Sequence, residues 1–259
     1  MNKVRAFDIF GNIAIAKFPK DFKLTNKKKF ANKILKENSS IKTVLEKVGK
    51  FSGRLRKMQT KHLAGENTKE VLYKENKCVF RFNIDKTYFS SRLSNERKEI
   101  ASKIKKGEKV LVMFAGVAPF SIIAAKNSKA GKVYSNEINR EANKYAQLNI
   151  ELNKLKEKVE LIPGDIKKVV PKLKEKFDVI VMPRPQLKDT FLKEAFKISK
   201  KGTRIFYYDF CKEVDVKLIV EKIKQEAKEN KKKIKILGTK SAGEIAPYKI
   251  RVRVDFRVL

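Results

Sequence analysis

From residue 92 onward the chain repeats one pattern. A short apolar run rich in β-branched residues is followed by a longer segment with helical spacing. The runs fall at residues 109–114, 132–135, 159–162, 178–182 and 203–208. Helical segments read between them, at 119–126, 140–152, 167–173 and 187–199. Strands alternating with helices of this length predict a mostly parallel sheet covered by helices on both faces. A charged helix over 94–105 precedes the pattern and another, 214–229, follows it. Two last strands, 234–238 and 248–259, joined by a loop, predict an antiparallel edge. The expected fold class is therefore α/β, with a Rossmann-like domain over 91–259 and a smaller α/β domain over 1–90.

In that smaller domain, residues 4–18 alternate about Gly11 as a hairpin. Thr25 and Asn26 can cap a basic helix through Leu35, and Ser39-Ser40 precedes a second helical pattern over 41–48. A glycine-punctuated basic stretch follows over 49–65, holding Lys50, Arg54, Arg56, Lys57, Lys61 and His62. Residues 70–74 and 77–84 read as another hairpin, turning at Glu75-Asn76.

Charge narrows the partner. Lys and Arg number 63 against 29 Asp and Glu, a formal net charge of +34. Such an excess costs self-repulsion that a polyanion relieves, and counterion release drives binding to nucleic acid. No strongly amphipathic basic helix stands apart from the fold, and no run of about 18 apolar residues exists to span a bilayer. No membrane partner is expected. The first residues lack a secretory pattern, so the expected compartment is the cytoplasm. Cys78 and Cys211 are far apart, which excludes a disulfide framework or an all-cysteine metal site; both read as buried structural thiols. No metal site is expected.

Three loops carry the cofactor chemistry. Phe114-Ala115-Gly116-Val117-Ala118-Pro119-Phe120 follows an apolar strand and opens a helix, letting backbone approach a ligand at a helix N-terminus. Glu137 ends the next strand, where an acid can accept from both ribose hydroxyls of an adenosine. Gly164-Asp165-Ile166 follows the third, where a short acid can accept from an adenine amino group. All three reach the same carboxyl edge of the sheet, the place where such sheets bind ligands. Neither a phosphate loop nor a G-x-G-x-x-G dinucleotide motif is present. His62 is the only histidine and neither cysteine adjoins a proline, so acid–base work falls to a carboxylate or to no residue.

The glycine turn followed by two acids resembles the class I S-adenosylmethionine methyltransferases. Longer stretches carry a closer resemblance: SGRLRKMQTKHLAGE (52–66), KTYFSSRLSNERKEI (86–100), VMFAGVAPFSIIAAK (112–126), YSNEIN (134–139), PGDI (163–166), MPRPQLKDTFL (182–192) and RIFYYDF (204–210). In these the chain resembles the archaeal and eukaryotic tRNA (guanine(37)-N(1))-methyltransferases. The resemblance implies S-adenosyl-L-methionine as cofactor, the tRNA anticodon loop at position 37 as partner, RNA binding by the smaller domain, and a monomer. It implies Glu96 as general base for guanine N1, and Arg56 as the cation stabilising charge on the guanine oxygen. Tyr88, Arg92, Pro183, Arg184 and Pro185 would contact the substrate. Arg97, Phe114, Ala115, Gly116, Val117, Pro119, Glu137, Ile138, Asp165, Ile166 and Pro183 would contact the cofactor. Two departures stand out: Ala118 replaces a common glycine, and Pro183-Arg184-Pro185 replaces the usual amide-bearing motif. The chain also reads as lacking the family's first small domain. Alternative readings are a wybutosine-pathway enzyme acting on the tricyclic base, by carbon methylation or aminocarboxypropyl transfer, and an RNA-binding protein with a vestigial cofactor fold.

Overall fold

A computed structural model of the protein describes residues 7–49, 53, 55, 58–184 and 186–259. The chain divides into two compact units, Met1–Ser91 and Arg92–Leu259.

The first unit holds a four-stranded sheet of β1 (Phe7–Phe10), β2 (Ile13–Ala16), β3 (Thr43–Lys47) and β4 (Thr60–Gly65), in that spatial order. Helix α1 (Leu24–Glu37) lays Ala31 and Ile34 on a core of Ala14, Ala16, Ile41, Val44 and Leu63. Strands β5 (Glu70–Glu75) and β6 (Cys78–Asn83) form a separate hairpin. It turns at Asn76 and Lys77, both at positive φ, the geometry that matches strand twist. Gly11 turns β1 into β2 with a φ of +55°, and a Cβ there would lie 1.8 Å from the Leu72 carbonyl oxygen. Only glycine allows that approach.

One expectation fails here. Residues 41–48 are not helical; they contain β3, parallel to β2 and antiparallel to β4. Ile41, Val44, Leu45 and Val48 carry helical spacing, but Thr43, Val44 and Leu45 are buried inside the sheet. Sheet pairing on both sides overrides the local period.

The second unit is built on seven strands: β7 (Lys109–Val112), β8 (Lys132–Glu137), β9 (Val159–Pro163), β10 (Phe177–Met182), β11 (Ser199–Lys212), β12 (Ile234–Ala246) and β13 (Lys249–Val258). Their spatial order is β12-β13-β11-β10-β7-β8-β9. The five strands from β9 to β11 run parallel, while β13 runs antiparallel to β11 and to β12. The helices are α2 (Ser94–Lys103), α3 (Pro119–Asn127), α4 (Arg140–Leu152), α5 (Ile166–Val169), α6 (Leu192–Lys197) and α7 (Val216–Glu229). Sheet residues Ile180, Met182, Ile205, Tyr207, Val252, Val254 and Phe256 share one large core with Leu192, Phe196, Ile223 and Ala227.

The α/β class and the antiparallel C-terminal edge match expectation. Several elements differ in extent, among them β11, which runs over Ser199–Lys212 where 203–208 is expected. The segment 187–199 is helical only over α6, because the Asp189 carboxylate accepts from Phe191 N (2.8 Å) and Thr190 Oγ1 from Leu192 N (3.4 Å). These side chains turn the backbone just before the helix starts. The segment 167–173 tightens after one α turn into a 3₁₀ turn containing Pro171. The final loop is mostly strand: β12 reaches Ala246, leaving Pro247 and Tyr248 as the turn. Among the described residues no helix is long and apolar enough to cross a membrane. Cys78 is buried, but Cys211 is only half-buried.

Candidate active site

Three loops meet at the carboxyl ends of β7, β8 and β9. After β7, Met113 N still donates to the Val181 carbonyl (2.9 Å), so this loop leaves the sheet beside that of β10. Phe114, Gly116 and Ala118 then take φ values of +59°, +58° and +66°. Three left-handed residues in five crook the loop tightly and deliver it to Pro119, the first residue of α3. Each non-glycine costs about 1–2 kcal/mol in that conformation. Ala118 thus occupies a backbone position that favours the glycine common in the resembling family.

Glu137 stitches the loops together. Its Oε2 accepts from Gly116 N (2.7 Å) and its Oε1 from Asn139 N (2.7 Å). Its backbone carbonyl accepts from Gly164 N (2.8 Å). Asn136 Nδ2 donates to the carbonyls of Ile162 (2.8 Å) and Gly164 (3.0 Å). Asp165 caps α5 by accepting from Lys167 N (3.1 Å). Half-buried Phe114, Gly116, Glu137, Ile138 and Asp165 therefore share one open edge, with Ala115, Val117, Pro119 and Ile166 buried behind them. The donor set fits an adenosine group: fixed carboxylates accept from hydroxyl and amino groups, and a helix N-terminus lies beside them. Phe114 also meets Phe191 edge-on at 4.9 Å. Phe191 itself stands at φ +59°, in the loop after β10.

A second cluster surrounds Glu96 on α2. Glu96 is 5% exposed. Its Oε2 accepts from Arg253 Nη1 (2.6 Å) and the Tyr208 hydroxyl (2.9 Å), while its Oε1 faces Lys240 Nζ (3.2 Å). Arg253, 2% exposed, also binds Glu99 Oε1 (2.6 Å) and Asp255 Oδ1 (2.7 Å). The Arg253 bond holds the Glu99 carboxyl down to about 2, with Lys240 and Lys103 acting in the same direction. Burial opposes the Arg253 charge, but its carboxylate partners prevail and keep it firmly protonated. Burial, then the neighbouring Glu96 charge, pushes the Tyr208 hydroxyl well up. The cluster adjoins the cofactor loop through Phe120 of α3, whose ring lies 5.9 Å from that of Tyr208 and 5.7 Å from the Arg97 guanidinium.

The remaining expected residues fall in different places. Arg184 is buried, with Nε on the Tyr207 hydroxyl (3.0 Å), Nη2 on Asp209 Oδ1 (3.0 Å) and both Nη atoms on the Leu187 carbonyl (3.1 Å). These bonds hold the loop after β10 against β11. Half-buried Pro183 leads into that loop. Arg92 lines a cleft of about 620 Å³ with Glu213, Tyr248 and Ile250 at the β12–β13 turn. Tyr88 lies half-buried in the first unit. Arg56 and Pro185 lie outside the described residues. Sequence reasoning missed Arg253, Lys240, Asp209 and Phe191. Arg253 left no local signal: β13 alternates apolar and polar residues without a break, and Arg253 falls on the polar register with Arg251 and Asp255.

A parallel sheet with an antiparallel seventh strand, and an acid closing the second βα loop, defines a class I methyltransferase fold. The chain belongs to the TRM5/TYW2 methyltransferase family: residues 71–237 match the TRM5/TYW2 methyltransferase domain, and residues 2–68 match the TYW2 N-terminal domain. It is 36% identical to the tRNA (guanine(37)-N(1))-methyltransferase Trm5b of Pyrococcus abyssi, over 98% of this chain and 74% of the relative. The crystal structure of that relative superposes with a TM-score of 0.87, covering 98% of this chain and 75% of that one. A Nanoarchaeum equitans relative, tRNA (guanine(37)-N(1))/4-demethylwyosine(37)-methyltransferase Taw22, is 33% identical over 98% of this chain and 100% of its own length. Methanocaldococcus jannaschii Trm5, solved in complex with adenosine, is 29% identical with a TM-score of 0.81, covering 98% of this chain and 74% of that one.

Proposed function

We propose that this chain is a tRNA (guanine(37)-N(1))-methyltransferase using S-adenosyl-L-methionine, acting as a cytoplasmic monomer on the anticodon loop. The observation that carries this reading is the buried Glu96 carboxylate, anchored through one oxygen beside the helix that opens from the cofactor loop. Guanine N1 is a poor nucleophile while protonated, so a positioned base must remove its proton. Glu96 takes that role. Arg56 stabilises the charge that develops on the guanine oxygen. When bound, S-adenosylmethionine supplies the methyl group on a positively charged sulfur. Glu137 and Asp165 hold its adenosine, and Arg97 with residues 114–117, Pro119, Ile138 and Ile166 surrounds the rest. Arg92 and Pro183 contact the splayed guanine, a recognition mode suited to a single-stranded loop. Arg184 orders the loop after β10 instead of touching the base. The first unit binds RNA.

A second reading draws on the full-length match to the Nanoarchaeum relative: methylation of 4-demethylwyosine as well as guanine. One experiment separates the two. The protein is incubated with S-adenosylmethionine and tRNA bearing guanine, adenine or 4-demethylwyosine at position 37, and the digested nucleosides are identified by mass spectrometry. 1-Methylguanosine from the guanine tRNA alone supports the first reading, and an added methylated tricyclic product supports the second. Product from neither guanine nor 4-demethylwyosine sinks both. Glu96→Gln keeps cofactor binding and lowers turnover about 100-fold or more.

A further inference from the structure

The two oxygens of Glu96 stand in unlike surroundings. Oε2 takes two buried donors, Arg253 Nη1 (2.6 Å) and the Tyr208 hydroxyl (2.9 Å). Oε1 faces Lys240 (3.2 Å), which also binds Glu99 Oε2 as its nearer partner. The side chain of Lys240 is 49% exposed, whereas that of Arg253 is 2% exposed. Arg253 is further locked by Glu99 and Asp255. Lys103 completes the group, binding Asp255 (2.9 Å) and Glu99 (3.3 Å). Three cations thus face three carboxylates, and Lys240 is the most solvent-exposed of the cations. A lysine on a flexible stem can exchange partners that a forked guanidinium in a buried site cannot.

We propose that the C-terminal hairpin divides the oxygens of Glu96 between anchoring and proton transfer, with Lys240 as the displaceable counter-ion of the transferring oxygen. This rests on Glu96 being the base for guanine N1. Arg253 and Tyr208 are positioning residues that keep Oε2 fixed. As the guanine arrives, Lys240 retires onto Glu99 and yields Oε1 to the N1–H. The N1–H bond then breaks, its proton forms a bond to Oε1, and its electron pair stays on N1, which is left nucleophilic. Glu96 becomes a neutral acid whose anchored oxygen still accepts from Arg253 and Tyr208. The charges around Glu96 are Lys240, Arg253 and Lys103 on the positive side and Glu99 and Asp255 on the negative.

The test is the single-turnover methylation rate against pH, at saturating cofactor and tRNA, for wild type, Lys240→Met, Lys240→Arg and Tyr208→Phe. Removing a neighbouring cation makes a carboxylate easier to protonate. Lys240→Met is expected to move the acidic limb upward by about 1 pH unit, the low end for a close opposite charge, so the rate below the limb falls about tenfold. Lys240→Arg restores the wild-type limb. Tyr208→Phe lowers the rate at saturation without raising the tRNA concentration needed for half-saturation. Coincident limbs for wild type and Lys240→Met overturn the inference, as does a Lys240→Met defect seen only as weaker tRNA binding. If Glu96→Gln is inactive while those limbs coincide, the inference alone fails. If wild type makes no methylated product, the reading of Glu96 as the base fails with it.

Discussion

Glu137 is worth more than its single charge because backbone N–H groups from two different loops aim at it. Its position is fixed by those bonds, so on the function proposed above an adenosine would meet acceptors that need no reordering. Glu137→Gln removes the charge and sets an amide NH₂ against a backbone N–H. Hydrogen bonds to charged groups contribute about 1.5–3 kcal/mol, so S-adenosylhomocysteine should bind roughly 10- to 150-fold more weakly. Calorimetric titration measures this directly, and unchanged affinity would place the ribose elsewhere. Glu137 and Asp165 were legible in the sequence because the end of a strand is set by local pattern, and the acid follows at fixed spacing. Arg253 was not legible. Its partner Glu96 lies 157 residues away, and no local rule couples them. Arg184 was legible as a charged residue in the right loop, but not as a buried clamp, since only the register of β10 with β11 brings Tyr207 and Asp209 beside it.

At the scale of elements, α2 and the β12–β13 hairpin are tied by charge. Glu99 receives Arg253 and Lys240, and its carboxyl sits at about 2 against an ordinary 4.5. The sign follows from linkage. A carboxyl depressed on folding stabilises the fold fully above its unfolded value, and the contribution disappears as pH falls through the folded value. Glu99→Gln should therefore lower the melting temperature most near neutral pH. The gap to wild type should close between about pH 5 and pH 2. Thermal melts by circular dichroism at several pH values decide it; a gap independent of pH would mean that packing, not charge, is lost. Element type was readable wherever a segment met one period and one environment, as in α4 and β10. It failed at 41–48, where helical spacing of Ile41, Val44, Leu45 and Val48 lies in a segment that β2 and β4 draw into their sheet.

At the scale of the molecule, the charge of +34 sets how an RNA is met. The total and its split between the two units are legible by counting, whereas its distribution over the surface is a product of folding. Phosphate contacts position an RNA without reading its sequence, so affinity and specificity should respond to different variables. If six or more lysines and arginines each neutralise a phosphate, affinity for tRNA falls about 10³-fold or more between 50 and 200 mM salt. The rate of methyl transfer at saturating tRNA should stay nearly constant over that range, because buried ion pairs such as Arg253–Glu96 are screened far less than exposed charges. Replacing guanine 37 by adenine should do the reverse, removing product while leaving affinity and its salt slope almost unchanged. Fluorescence titration across salt, paired with single-turnover rates, separates the two. A shallow slope would assign the charge excess to solvated surface, and tRNA recognition would then have to rest on base contacts alone.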